Sequence, residues 1–229
     1  MTIGEREGLK TQPLRASVGV VETAIRFERR PWDAARADEV VVGTPFAEAH
    51  GLHPGDRMLL SAGASVDLVV AHVAALRLGL VVVPANTAYL ERELAHLVRD
   101  ARPALAVVDA AERRRWIEAA SDRPVVVTGA DVALPDGPDP AWLDGVTAED
   151  PAVLAYTSGT TGAPKGALLS HGNLLASVEA LGLAWRWTAD DRLVCPLPLF
   201  HMHGLGVALH GTLAAGASIV LRPSFDATD

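Results

Sequence analysis

The feature that most restricts the fold is an alternation. Between residues 58 and 128, apolar runs of four or five residues take turns with segments of helical period. The runs at 58–61, 80–83, 104–108 and 124–128 read as strands, with Gly55-Asp56 as a turn before the first and Pro84 ending the second. Between them, 66–78 puts Leu68, Val69, His72, Val73 and Leu76 on one side of a helix. The segment 91–100 does the same with Leu90, Leu94, Leu97 and Val98, and 111–120 completes the set. After a Pro/Gly/Asp-rich surface connection at 134–150, the rhythm resumes. A strand is expected at 153–156, and a helix from Ser170 as N-cap through 183, with Leu174, Leu175, Val178 and Leu181 inward. A strand at 192–195, a helix at 205–213 and a strand at 218–221 follow. Strands that alternate with helices predict an α/β fold with a largely parallel sheet and flanking helices. Residues 1–40 show little periodicity and many charges. They are expected to form a poorly defined lead-in, irregular or loosely helical, to a domain at 41–229.

Composition narrows the function. A chain that is 49% hydrophobic and 21% charged can bury a core. The net charge of −8 comes with no basic helical face, which argues against binding nucleic acid or an anionic membrane. The single cysteine, Cys195, excludes an internal disulfide and fits a reducing, cytoplasmic setting. The stretch 194–221 has no Asp, Glu, Lys or Arg and is long enough on paper to span a bilayer. Pro196, Pro198, four glycines and three histidines divide it into shorter elements, so no membrane span is expected.

The most informative segment reads Tyr-Thr-Ser-Gly-Thr-Thr-Gly-Ala-Pro-Lys-Gly at 156–166. Glycines let backbone N–H groups approach an anion closely. The hydroxyls of Thr157, Ser158, Thr160 and Thr161 add donors that rotate to suit a phosphate. Lys165 supplies a mobile point charge. Of 20 basic residues only Lys10 and Lys165 are lysines, so a lysine here is not a product of composition. Pro164 before it and Gly166 after it separate the string from the common P-loop, and the glycine spacing is not that of a dinucleotide fingerprint. The ordinary alternative is a solvated Ser/Gly loop between strand and helix.

Residues 154–166 resemble the signature of the AMP-binding, acyl-adenylate-forming superfamily. That superfamily includes acyl-CoA synthetases, peptide-synthetase adenylation domains and luciferases. Ser170-His171-Gly172-Asn173-Leu174 is similar to the family, as are residues 195–204, Gly55-Asp56-Arg57 and residues 79–86. The resemblance covers about residues 40–226. The family's usual tyrosine-containing segment is not evident at the N-terminus. The resemblance implies that Thr157, Ser158, Gly159, Thr160, Thr161, Gly162 and Lys165 hold the β- and γ-phosphates of ATP, with Lys165 catalytic. Mg²⁺ helps neutralise those phosphates while a substrate carboxylate attacks the α-phosphorus. Acyl-AMP forms, and a thiol, often that of CoA, then takes the acyl group.

His201, His203 and Gly204 lie in a Phe-His-Met-His-Gly segment similar to the family's acyl-pocket border. Amino-acid-activating relatives usually have aspartate where His201 stands, which argues against an amino-acid substrate. The string most resembles malonyl-CoA synthetase-like and fatty-acyl-CoA ligases. For His201, His203 and His210 the bland alternative is a structural role. A metal site built with Cys195 is conceivable by residue type, although His-x-His on a turn is weak evidence, and none is expected.

The family's later adenine, ribose and C-terminal lysine motifs do not appear. The chain is therefore expected to be an incomplete N-terminal AMP-binding domain without the C-terminal domain, inactive alone and prone to self-association. A separate chain would then supply the missing part. The competing reading is a non-catalytic nucleotide-binding or partner-binding module that retains the phosphate loop.

Overall fold

Alternating side chains along a strand face opposite ways, and here both faces are covered. The structure, a computed structural model, describes residues 16–21, 24–29, 44–129, 145–157, 164–222 and 225. Strands β1 (Ala16–Val21) and β2 (Ala24–Arg29) precede the short helix α1 (Thr44–Ala49). Then come β3 (Arg57–Ser61), α2 (Val66–Arg77), β4 (Val81–Pro84), α3 (Glu91–Ala101), β5 (Leu105–Val108), α4 (Ala111–Ala120) and β6 (Val126–Thr128). The hairpin of β7 (Pro151–Thr157) and β8 (Lys165–Ser170) follows, then α5 (His171–Trp185) and β9 (Arg192–Cys195). A π-helical segment, His203–Leu209, runs directly into α6 (His210–Ala215), and β10 (Ser218–Leu221) comes last.

Six strands form one sheet in the order β6-β5-β3-β4-β7-β8. All neighbours are parallel except β8, which runs antiparallel to β7. Each parallel step needs a crossover, and α2, α3 and α4 supply three of them. In β3, Met58 and Leu60 join one core cluster while Leu59, between them, joins another. Leu59 meets Leu94, Leu97 and Val98 of α3 and Ile117 of α4. On the opposite face, Leu68, Val69 and Ala75 of α2 pack in a cluster that also holds Cys195, Leu205, Leu209 and Ile219. Those last four residues belong to the layer of the second sheet, ordered β1-β2-β10-β9. The inner parallel strands β3, β4 and β5 are thus apolar and covered on both faces, as parallel strands require.

Local signals explain the helix starts. Ser65 accepts from the Leu68 N–H at 3.1 Å and caps α2. Ser170 accepts from Asn173 N–H at 3.2 Å, while Asn173 Oδ1 accepts from Ser170 N–H at 3.1 Å, a reciprocal capping box for α5.

The structure departs from the expectations at several points. The lead-in is neither irregular nor helical over its described residues, because β1 and β2 pair antiparallel and β2 also pairs with β10. Leu90 is not inward. It stands at the N-cap of α3, 67% exposed, with its N–H donated to Glu93 Oε2 at 3.2 Å. Leu175 is also outward, at 41%. The helix expected at 205–213 begins earlier and is π-helical, with the His210 N–H reaching Leu205 O, five residues back. Most of the expected connection at 134–150 lies outside the described residues.

Candidate functional site

The hairpin of β7 and β8 positions the string singled out above. β7 lies parallel to β4 through Val82 and Val153, so the end of β7 at Thr157 and the facing start of β8 at Lys165 stand at the carboxyl edge of the parallel sheet. Ligands of open α/β sheets bind at that edge. The register pairs Tyr156 with Gly166 and Thr157 with Lys165. Thr157 Oγ1 donates to the Lys165 carbonyl at 3.4 Å, a long bond across the mouth of the loop. Thr157 and Lys165 are both exposed. Ser158, Gly159, Thr160, Thr161 and Gly162 lie outside the described residues.

Helix α3 contacts both legs of this hairpin. The Tyr156 hydroxyl donates to Asp100 Oδ2. Burial, then the bond to Asp100 and its charge, raise the Tyr156 phenol well above its ordinary pKa, so it stays a donor. On the other leg His96 Nε2–H donates to the Pro164 carbonyl at 3.3 Å. Gly166 packs closely against β7. A Cβ there would come within 2.8 Å of Leu154 Cδ1 and 3.4 Å of Tyr156 Cζ.

The second set of residues stands in the other sheet's layer, after β9. His201 and His203 are exposed, and Gly204 is buried. The His201 N–H donates to Pro198 O at 3.3 Å, and the Leu205 N–H to His201 O at 2.8 Å. The Phe200 and His201 rings lie 4.5 Å apart, tilted. A Cβ on Gly204 would collide with the Pro198 carbonyl oxygen. Only glycine lets the π-helical segment start so close to that turn.

His210 does not join His201 and His203. It is buried against His72 of α2, Nε2 to Nε2 at 2.7 Å, with ring centroids 5.0 Å apart. Burial, then the charge of His171, lowers the His210 pKa to about 4. Burial, then His210, lowers that of His72. The Cys195 thiol is buried and its pKa raised by that burial. Among the described residues no group of three or more His, Cys, Asp or Glu is arranged to hold a metal ion. No helix among them is long and apolar enough to cross a membrane. The uncharged stretch at 194–221 is divided among β9, the π-helical segment, α6 and β10.

The sequence reading did not find the His72–His210 pair or the contacts from α3. His72 was legible as an inward helix position, but its partner is 138 residues away.

The fold recurs in known proteins. Mitochondrial malonate–CoA ligase ACSF3 of Mus musculus is 36% identical over 172 residues, covering 71% of this chain and 29% of that protein. The 4-coumarate–CoA ligase-like 4 protein of Oryza sativa subsp. japonica is 33% identical over 205 residues, covering 79% of this chain and 37% of that protein. The chain thus spans between 29% and 37% of the length of these relatives. ATP-bound MatB from Rhodopseudomonas palustris has the same fold over 80% of this chain and 38% of its own, with a TM-score of 0.69 and 36% identity. The o-succinylbenzoate CoA synthetase MenE of Bacillus subtilis, in complex with its acyl-adenylate intermediate, gives 0.70 at 28% identity over 80% of this chain and 47% of its own. Residues 45–229, from α1 onward, match the family model described as AMP-binding enzyme, and the chain belongs to that family.

Proposed function

We propose that this chain is the phosphate-handling portion of an ATP-dependent acid–CoA ligase. A carboxylate oxygen of the acid attacks the α-phosphorus of ATP. The bond from that phosphorus to the bridging oxygen breaks, and pyrophosphate leaves. The thiol of CoA then attacks the acyl carbonyl, AMP departs, and a thioester remains. ATP and CoA are co-substrates, and Mg²⁺ enters with the ATP polyphosphate.

Charge on the departing pyrophosphate is the main electrostatic demand of the first step. Thr157, Ser158, Gly159, Thr160, Thr161 and Gly162 offer hydroxyl and backbone donors for it, and Lys165 offers a cation. The observation that carries the reading is the pairing of Thr157 with Lys165 at the carboxyl edge of the parallel sheet. The likeness to ATP-bound MatB supports it. His201, His203 and Gly204 border the acyl pocket in this reading. The imidazoles suit an acid with a second polar group, such as the dicarboxylate named for the malonate–CoA ligase relative.

The test is ATP–pyrophosphate exchange by the full-length protein with Mg²⁺ and a panel of mono- and dicarboxylic acids, followed by thioester formation with CoA. Exchange that depends on an acid supports the reading. ATP binding without exchange for any acid overturns it in favour of a nucleotide-binding module.

A further inference from the structure

The hairpin that carries Thr157 and Lys165 is gripped on both legs by one helix. Asp100 takes the Tyr156 hydroxyl on the outgoing strand, one residue before Thr157. His96 holds the Pro164 carbonyl on the returning leg, one residue before Lys165. His96 and Asp100 are four residues apart on α3, so they share a face, one turn apart. Neither belongs to the string that resembles the family signature.

The helix itself is fixed in two ways. Leu94, Leu97 and Val98 are buried in the cluster with Leu59 and Ile117. At its carboxyl end Arg57 Nη1, from β3, donates to the Ala101 carbonyl at 2.8 Å. A rotation of α3 would have to break both. Asp100 is exposed, where polar pairs add little to stability. Stability alone is therefore a poor account of why this helix meets both legs.

We propose that His96 and Asp100 are positioning residues, which set the separation and angle of the two hairpin legs and so the placement of Thr157 and Lys165 against the ATP polyphosphate. The inference rests on the phosphate-binding reading of this hairpin. Neither side chain touches a reacting atom. Asp100 acts through the Tyr156 side chain and His96 through the Pro164 carbonyl, each next to a residue that does.

The experiment is ATP–pyrophosphate exchange by the full-length protein, with ATP and the acid varied separately. His96→Ala and Asp100→Ala are expected to lower kcat/KM for ATP by roughly 10- to 100-fold, the scale of a small misplacement of a reacting group. KM for the acid should stay within about twofold. His96→Gln keeps an N–H donor and Asp100→Asn keeps a carbonyl acceptor, so both should recover most of the loss. Equal losses for ATP and acid, or no recovery in the conservative variants, would reduce these residues to structural ones and overturn the proposal. So would alanine variants with unchanged kcat/KM for ATP. Lys165→Ala in the same assay separates the two readings. If it exchanges at the parent rate, the phosphate-binding reading falls and this inference with it. If it is slow while the alanine variants of α3 are fast, the inference about α3 fails alone.

Discussion

His72 and His210 meet through their Nε2 atoms at 2.7 Å, both buried, one on α2 and the other at the start of α6. One ring donates and the other accepts, so at least one must be neutral. Burial leads the lowering of both pKa values, that of His210 to about 4, and His171 nearby is lowered by burial as well. In the unfolded chain these rings titrate near the ordinary value of about 6.5. Between about 6.5 and 4 the unfolded state therefore binds more protons than the folded one, and stability rises with pH. The stabilisation is present above pH 6.5 and is lost as pH falls toward 4. Each histidine contributes a slope of at most about 1.4 kcal/mol per pH unit. Urea unfolding at pH 7.5 and pH 5 should show a clear loss at the lower pH, and His210→Asn should flatten it. Equal stability at the two pH values would refute the account.

Glycine at 204 is a packing requirement. Its missing Cβ would overlap the Pro198 carbonyl oxygen and lie 3.1 Å from the carbonyl carbon, backbone atoms with nowhere simple to go. Gly204→Ala should cost about 1–3 kcal/mol. Gly182, in α5, has nothing within 4 Å of a Cβ. There the alanine variant should gain up to about 1 kcal/mol from helix propensity. Thermal melts of the two variants should move in opposite directions. A Gly204→Ala protein that melts with the parent would mean that the turn at Pro198 yields freely.

These features differ in how far the sequence reveals them. From β3 to β5 the elements follow apolar periods, and the expected and observed bounds agree closely because these strands bury both faces. β8 carries no such period. Lys-Gly-Ala-Leu-Leu-Ser becomes a strand only by pairing with β7, and four of its six residues are exposed. β1 and β2 likewise depend on pairing, β2 with a strand near the other end of the chain. Leu90 and Leu175 sit at apolar positions of a helical pattern, yet face outward. The candidate loop was legible because its chemistry is local, with glycines, hydroxyls and one lysine in a short run. Its supports were not, because Tyr156 and Asp100 are 56 residues apart and His96 and Pro164 are 68 apart.

Lys165 starts β8 opposite Thr157, with its side chain exposed. In the proposed reaction its ammonium meets charge that builds on the leaving pyrophosphate. Lys165→Ala should slow adenylate formation by about 10²–10³, the usual loss for one charge-stabilising donor. The fold should persist, because an exposed lysine contributes little packing. Pyrophosphate exchange and a parallel melt check the two halves of this prediction. An unchanged exchange rate would remove Lys165 from the chemistry.

His203 begins the π-helical segment and is exposed beside the buried Gly204. Were it a structural histidine, its loss would affect every acid alike. As a donor at the acyl pocket, it should matter most for acids with a second carboxylate. His203→Ala is expected to lower kcat/KM for dicarboxylic acids by about tenfold or more relative to monocarboxylic ones, with KM for ATP little changed. Kinetics across both classes of acid decide it.

The isolated 229-residue chain should associate with itself. Among the described residues, two sheet edges are strands with exposed side chains, β8 at one end of the six-stranded sheet and β9 at one end of the other. Unpaired edges offer N–H and C=O groups to another chain. α5, which follows β8 directly, leaves Leu183 84% exposed and Trp185 57% exposed, besides Leu175. Val194 on β9 and Leu168 on β8 add apolar surface at the same edges. Scattered apolar side chains are ordinary, but apolar groups along an open edge favour association. Sedimentation velocity over a range of concentrations should show a mass that grows with concentration. Leu183→Glu should reduce that growth without lowering the melting temperature, since its side chain is 84% exposed. A single monomeric species at every concentration would show that these surfaces are satisfied within one chain.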